Sequence, residues 1–310
     1  MTKTAVILLT LCVATAVSRA QTITFTNAGL TNREVLLRFS STGQVRVEVS
    51  ANLPQWHPLL SLTSTGLNQH LDTATPYLSQ RFYRVQQLAG TTNLTGDWLT
   101  TTNGDVLIRP ITHASFLMTW NGLVIYNDPD SPTSLYTGLP KGNLILISHE
   151  HGDHFDAAAL NTVTNVNCRI LAPQAVYNQM AAPLRALTTV LTNGATTNLL
   201  GLHVEAVPAY NDRHARGAGN GYVVTIGGRR IYMSGDTGGT PEMRALPNID
   251  VAFVCMNLPF TMSIPEAVTN VRAMKPRVVY PYHYSASDVN LFKRQVSNDL
   301  GIEVRLRKWY

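Results

Sequence analysis

Three histidines and two carboxylates lie within six consecutive residues, His149-Glu150-His151-Gly152-Asp153-His154. Imidazole nitrogens and carboxylate oxygens are the ligands that zinc and similar divalent metals take in proteins. Burying so many polar groups without compensation would be costly. The segment directly follows an apolar, strand-like run at residues 144–147. The sequence therefore predicts a metal site in the loop that ends this strand.

The spacing within this loop predicts more than one metal ion. His149 and His151 are two residues apart, so both side chains point the same way in an extended segment. The side chains of Asp153 and His154 would then lie on the opposite side of the loop. One loop can thus serve two ions a few ångströms apart, about the spacing of two-metal hydrolases.

Two more candidate ligands follow predicted strands. Asp236 lies in a Ser-Gly-Asp-Thr-Gly segment, where the flanking glycines let the backbone approach closely. Its carboxylate could bridge two cations, and an Asx-turn is the alternative reading. His283 lies in Pro-Tyr-His-Tyr after another strand. A lone histidine at such a place is often structural, so its role depends on the rest of the cluster.

Composition narrows the class of protein. The chain has 310 residues, 45% of them hydrophobic and 14% charged, which suits a globular extracytoplasmic protein. The formal net charge is +5, and no run of Lys or Arg is present. Nucleic-acid binding through a basic patch is therefore unsupported. Cys168 and Cys255 are too few for a disulfide scaffold or a cysteine zinc site.

The first twenty residues have the pattern of a secretory signal peptide. Lys3 supplies the positive start, residues 5–17 are apolar, and Ser18-Arg19-Ala20 offers a cleavage site. The apolar stretch is too short for a typical membrane span, and a retained anchor is the alternative. We expect a periplasmic or extracellular mature chain with no integral membrane span and a formal charge of +3.

The remaining sequence predicts two domains. Residues 21–90 alternate apolar and polar side chains between short turns, which predicts a small all-β, sandwich-like module. Residues 90–104 are rich in Thr, Asn and Gly and are predicted as a linker. Residues 91–310 form the second domain, an α/β domain in which strands alternate with helices. Its predicted strands are 106–109, 115–120, 123–126, 169–172, 203–209, 222–226, 230–234, 277–280 and 302–307, and its predicted helices begin at 156, 263 and 286.

The order of these motifs resembles the metallo-β-lactamase superfamily. The His-x-His-x-Asp-His loop, the Gly-Asp-Thr segment at Asp236 and the strand-terminal His283 carry the resemblance. Residues 232–243, residues 111–116 and Asp128-Pro129 are similar to the branch that contains ascorbate-phosphate lactonase-like hydrolases. N-acyl-phosphatidylethanolamine phospholipase D enzymes are more distantly similar. The resemblance covers residues 94–310 and implies an αββα sandwich with a metal site along one edge.

The resemblance also implies a ligand set. His149 and His151 would bind the first metal, Asp153, His154 and His283 the second, and Asp236 would bridge them. The family's third histidine for the first metal aligns with Asn211, and His214 follows three residues later. Either His214 reaches the first metal or that site is weakened. Two zinc ions are expected, with manganese or iron as alternatives.

These residues predict a secreted metal-dependent hydrolase. A metal-activated water would attack an ester, lactone or phosphodiester-like bond of a small-molecule or lipid-like substrate. Asp153 would orient that water or take its proton. Tyr210 and Tyr282 are candidate donors to the developing oxyanion, and His113 a candidate outer partner. The alternatives are a β-lactamase of the same fold and a non-catalytic surface- or carbohydrate-binding protein with a structural metal.

Overall fold

The computed structural model describes residues 7–9, 24–31, 34–74, 81–87, 94–297 and 301–310. The predicted signal peptide lies outside the described residues, apart from the short strand β1 (Ile7–Leu9). Within these ranges, no helix is long and apolar enough to cross a membrane. The chain divides into two compact units, Met1–Thr100 with Asp105–Arg109, and Thr101–Gly104 with Pro110–Tyr310.

The first unit is built from strands. Its long strand β3 (Glu34–Ser50) pairs antiparallel with β2 (Thr24–Thr31), β4 (His57–Asp72) and β5 (Arg81–Gln87), and β1 pairs in parallel with β5. Val45, Val47 and Val49 of β3 are buried because alternate residues of a strand face the same side. The short strand β6 (Gly96–Leu99) lies inside the segment predicted as a linker, so that prediction was wrong for these residues. The last strand, β7 (Val106–Thr112), begins in this unit, and its residues 110–112 belong to the second unit.

The second unit holds two sheets. In one, β8 (Ser115–Trp120) and β9 (Leu123–Asn127) form a hairpin across Asn121-Gly122, a preferred two-residue turn. Parallel strands continue this sheet through β10 (Leu144–Leu146), β11 (Arg169–Ala172) and β12 (Thr188–Val190). Buried parallel strands need apolar side chains on both faces, which explains the Leu-Ile-Leu of β10.

The other sheet of this unit is half antiparallel and half parallel. Its first four strands pair antiparallel in sequence order, and its last four pair in parallel. The strands are β13 (Thr196–Leu199), β14 (Leu202–Ala209), β15 (Gly219–Ile226), β16 (Arg229–Met233), β17 (Val251–Cys255), β18 (Val278–Tyr282) and β19 (Glu303–Val304). The last strand is shorter than the predicted 302–307.

Helices connect the parallel strands. The longest begins after Ser263, whose hydroxyl accepts a hydrogen bond from the Glu266 amide, and α1 begins after Asp156 in the same way. The helices are α1 (Ala157–Val163), α2 (Gln174–Gln179), α3 (Ala182–Arg185), α4 (Pro241–Arg244), α5 (Ile264–Met274) and α6 (Val289–Ser297).

Aromatic side chains join the two sheets of the second unit. Phe116 of β8 stacks on Phe253 of β17 with ring centroids 4.1 Å apart. The buried Tyr222 hydroxyl of β15 donates to the Ile147 carbonyl, 2.9 Å away, just after β10. Two facing sheets with connecting helices confirm the predicted αββα sandwich.

Candidate metal centre

The candidate ligands lie where strands of both sheets end. His149–His154 follow β10, His214 lies on the loop after β14, Asp236 follows β16 and His283 follows β18. In the second sheet, β14, β16 and β18 run in the same direction, so their carboxyl ends meet at one edge. Residues far apart in sequence are thereby brought together at this edge.

The first cluster consists of His149, His151 and His214. The Nδ1 atom of His151 lies 3.1 Å from Nε2 of His149 and 3.2 Å from Nε2 of His214. His149 and His214 are buried, whereas His151 is exposed. Three imidazole nitrogens therefore converge at the surface end of the site.

The second cluster consists of Asp153, His154 and His283. His154 and His283 are almost completely buried, and the Asp153 side chain is 50% exposed. Asp153 Oδ2 lies 3.6 Å from Nε2 of His283 and 3.8 Å from Nε2 of His154. Both imidazoles therefore face the same carboxylate from the protein interior.

Asp236 lies between the clusters and faces both. Its Oδ1 atom is 3.2 Å from Nε2 of His154 and 3.2 Å from Nε2 of His283. Its Oδ2 atom is 3.8 Å from Nε2 of His214 and 3.9 Å from Nε2 of His149. Oδ1 of this buried carboxylate thus faces the second cluster and Oδ2 faces the first, as the two oxygens of a bridging ligand do.

The donor set fits two divalent ions. Nε2 of His154, Nε2 of His283 and Oδ1 of Asp236 are buried without a hydrogen-bond partner in the described part of the chain. Ligands about 2.0–2.1 Å from a tetrahedral zinc lie about 3.3 Å from one another, close to the 3.1–3.2 Å separations found here. Unpaired buried donors at ligand spacing are what a cation would satisfy.

Asp128 orients the buried histidine of the second cluster. Its Oδ2 atom lies 2.9 Å from Nδ1 of His154, and its Oδ1 atom accepts a 2.7 Å hydrogen bond from the Ser148 amide. Asp128 follows β9, which runs parallel to β10, so the two residues reach the same edge. A carboxylate on Nδ1 keeps Nε2 free for a metal. The sequence pattern placed Asp128 in a motif but gave it no role.

Asn211 orients the ring of His214 in the first cluster. Its Oδ1 atom accepts a 3.0 Å hydrogen bond from the His214 amide and lies 2.9 Å from Nδ1 of His214. This contact holds the ring with Nε2 toward His151. Of the two alternatives left open by the sequence, the structure brings His214 into the cluster and places Asn211 behind it.

Glycine 235 allows Asp236 to enter the site. Gly235 has φ +61°, and a Cβ atom there would lie 2.8 Å from the Asn220 carbonyl oxygen and 3.1 Å from Cβ of Ser148. A side chain would therefore push the Asp236 loop away from the β10 loop. The close approach of the two loops depends on this residue.

His113 completes the polar surroundings of the second cluster. Its Nε2 atom lies 3.0 Å from Asp153 Oδ2, and its Nδ1 atom lies 2.8 Å from the Tyr310 hydroxyl. Its ring is 3.8 Å, centroid to centroid, from that of His283. His113 therefore fixes the one exposed carboxylate of the site.

The ionisation of the site follows from burial and from the facing charges. Burial, together with the neighbouring His154, holds the pKa of His149 well below its usual range, so this imidazole stays neutral. Burial opposes ionisation of Asp236, but the imidazoles of His154 and His283 more than offset it and lower the pKa of Asp236. The carboxylates of Asp236 and Asp128 raise the pKa of His154, although burial alone would lower it.

The predicted oxyanion donors are not supported by their positions. Tyr282 is fully buried, and its hydroxyl accepts a 2.8 Å hydrogen bond from the Gly235 amide. It cannot reach a substrate, and it instead supports the loop of Asp236. The Tyr210 hydroxyl donates to Glu242 Oε2 at 3.1 Å, so its proton is already engaged by that carboxylate. Alternation along a strand does not reveal these partners.

Comparisons with known proteins agree with this geometry. The model of the β-lactamase superfamily domain matches residues 107–283. A metal-dependent hydrolase of the UPF0173 family from Thermococcus kodakarensis is 31% identical over 216 residues, which are 62% of this chain and 93% of that protein. Its counterpart from Pyrococcus abyssi is 31% identical over 176 residues, 52% of this chain and 77% of that protein.

A solved structure is similar as well. The crystal structure of a candidate metal-dependent hydrolase from Parabacteroides distasonis superposes with a TM-score of 0.65 at 36% sequence identity. The match covers 69% of this chain and 99% of that chain. The similarity therefore includes nearly the whole of the other protein and one part of this one.

Proposed function

This chain belongs to the β-lactamase superfamily as a metal-dependent hydrolase, and we propose that it is a secreted two-metal enzyme acting on ester, lactone or phosphodiester-like bonds. The observation that carries the two-metal proposal is the position of Asp236. Its two oxygens face different histidine clusters, and a single-ion site would not need both. Zinc suits the mixture of imidazole and carboxylate ligands.

The proposed ligands divide between the ions in a simple way. His149, His151 and His214 would hold one ion, and Asp153, His154 and His283 the other, with Asp236 shared. When bound, such ions supply Lewis acidity toward the substrate oxygen and lower the pKa of water from about 15.7 to about 7.

The chain's own residues prepare the site for hydrolysis. Asn211 and Asp128 hold His214 and His154 with their Nε2 atoms turned inward. Burial raises the pKa of Asp153, but the neighbouring imidazoles of His113 and His283 outweigh this and lower it, which keeps the carboxylate ionised. As a half-exposed carboxylate, Asp153 is the group we assign to orient the attacking water and hold its proton.

The secreted location and the substrate class rest on separate arguments. The signal-like first twenty residues support export to the periplasm or outside the cell. The absence of basic runs in the sequence and the small cavity at the metal centre support a small-molecule or lipid-like substrate rather than a nucleic acid. A β-lactamase remains the second candidate, because the fold is shared.

A hydrolase panel on metal-analysed protein tests the proposal. Aryl esters, lactones, phosphodiesters, acyl amides and nitrocefin would be offered to the wild type and to His151→Ala. We expect turnover in the ester, lactone or phosphodiester group and its loss in the variant. Preferential turnover of nitrocefin would favour the β-lactamase. Two bound ions without hydrolysis of any substrate class would favour a binding protein. Turnover that is unchanged in His151→Ala would favour the same reading, because the metal site would then not be responsible for it.

A further inference from the structure

An arginine lines the cavity at the metal centre. The cavity has a volume of about 210 Å³, and Arg213 lines it together with His149, His151, His214 and Asp236. Arg213 precedes His214 on the same loop, so the contacts that fix His214 also fix the start of its side chain. Its own amide donates a 2.8 Å hydrogen bond to Asn211 Oδ1.

The guanidinium of Arg213 retains unused donors. Its Nε donates to the Pro259 carbonyl at 3.1 Å, and no described carboxylate pairs with it. Arginine carries five N–H donors, so most of them remain available. The neighbouring Arg216 differs, because its Nη2 atom lies 2.5 Å from Glu242 Oε1. Among the described residues, Arg213 is therefore a cation of the cavity lining without a carboxylate partner, and Arg216 is a paired one.

An apolar surface adjoins this cation. The guanidinium of Arg213 lies 5.4 Å from the ring centre of Phe260, a cation–π contact. Phe260 is 47% exposed and Leu258 is 62% exposed. The Asn211 side chain donates a 2.8 Å hydrogen bond to the Phe260 carbonyl, so the loop carrying this ring is tied to the loop carrying His214. Phe260 is therefore an exposed apolar ring held beside the guanidinium of Arg213, where a ligand can contact both.

The charges at the cavity favour an anion once metal is bound. Glu150 and Asp236 line the cavity, and Asp128 and Asp153 lie beside the second cluster, so four carboxylates contribute negative charge. Two divalent ions and Arg213 carry five positive charges and outweigh these four carboxylates. Substrate binding next to a metal pair and a free guanidinium is then stabilised by a negative charge on the ligand.

We propose that Arg213 and Phe260 form a substrate subsite for an anionic group, phosphate or carboxylate, that carries an aromatic or other apolar arm. The inference rests on the proposed function and narrows it, because it selects anionic substrates among the ester and phosphodiester classes. Arg213 binds the anionic group through its Nη donors, and Phe260 and Leu258 contact the apolar arm.

Binding of phenylphosphonate and methylphosphonate to the metal-loaded chain, measured by calorimetry, tests the subsite without requiring turnover. We expect Arg213→Gln to weaken both ligands about tenfold to a hundredfold, the range for a hydrogen bond to a charged group. Phe260→Ala is expected to weaken phenylphosphonate severalfold and to leave methylphosphonate unchanged. Arg216→Gln, the matched control, is expected to bind both ligands like the wild type.

Metal analysis of every variant separates ligand binding from damage to the centre. Arg213→Lys keeps the charge and serves as a second variant, with binding expected between wild type and Arg213→Gln. Equal losses in Arg213→Gln and Arg216→Gln, or wild-type binding by a fully metallated Arg213→Gln, would overturn the subsite. Absence of phosphonate binding by the wild type would also overturn it. If the hydrolase panel fails but Arg213-dependent binding persists, the subsite stands and the proposed reaction is wrong.

Discussion

The two clusters of the candidate metal centre are held in different ways. The second cluster has two buried histidines, and a fully buried carboxylate, Asp128, holds one of them. The first cluster includes the exposed His151, and its His214 lies on a loop held by the neutral side chain of Asn211. A charged, buried partner constrains a ligand more strongly than a neutral partner near the surface. We therefore expect the second cluster to bind its ion more tightly.

Removing Asp236 should weaken both clusters at once. Asp236→Ala takes one carboxylate oxygen from each cluster and leaves the first cluster with imidazoles alone. We expect both ions to bind more than about 100-fold more weakly, beyond the range for outer partners, and hydrolysis to be lost. Elemental analysis after dialysis measures this. The exposed Asp212→Ala is the control, and two retained ions in Asp236→Ala would contradict a bridging role.

Changing Asp128 should weaken the second cluster selectively. Asp128→Asn removes the charge beside Nδ1 of His154, so we expect its ion to bind about 10- to 100-fold more weakly. Titration with a competing chelator would then show one tight ion where the wild type has two. Asp130→Asn is the matched control, since Asp130 is also buried but its carboxylate accepts from the Ser131 amide. Equal weakening in both variants would refute selectivity.

Changing Asn211 tests the first cluster. Asn211→Ala frees the His214 ring, and we expect about tenfold weaker binding of one ion. Asn211→Asp keeps an oxygen acceptor and should restore most of the affinity in the same titration. A loss that Asp does not rescue would mean that the amide contact to Phe260, rather than orientation of His214, is what matters.

The smallest expected effect concerns His113. His113→Asn removes a partner of Asp153 but leaves His283 near it, and Asn tolerates the left-handed backbone at this position, φ +50°. We expect about threefold weaker binding at the second cluster, below the usual range for outer partners. Complete loss of one ion would instead make His113 a ligand.

Local sequence was sufficient to predict the metal loop and much of the sandwich. His149 to His154 carry the ligand types and the spacing within one segment, and the strands alternate recognisably with helices. Asp128 could not be assigned, because its contact with His154 depends on β9 and β10 pairing in parallel. The role of Asn211 likewise depends on the turn that brings His214 back over it.

The tyrosine roles and the linker were predicted wrongly, and the contact between Arg213 and Phe260 was missed, each for a different reason. Tyr282 is the last residue of β18, and its hydroxyl enters the core. His283 follows the strand with a left-handed backbone, φ +45°, and its side chain enters the site. Arg213 and Phe260 were not singled out, because the contact between two separate loops leaves no signal in either segment. The segment predicted as a linker contains β6, whose four residues are too few to show alternation.

The dispersal of the ligands along the chain links metal binding to folding of the second unit. Residues from His149 to His283 meet only after the two sheets have packed against each other, so the unfolded chain offers no comparable site. An ion at 100 times its Kd would then add about 2.7 kcal/mol to the free energy of unfolding. Metal supply and conformational stability would rise and fall together in this unit.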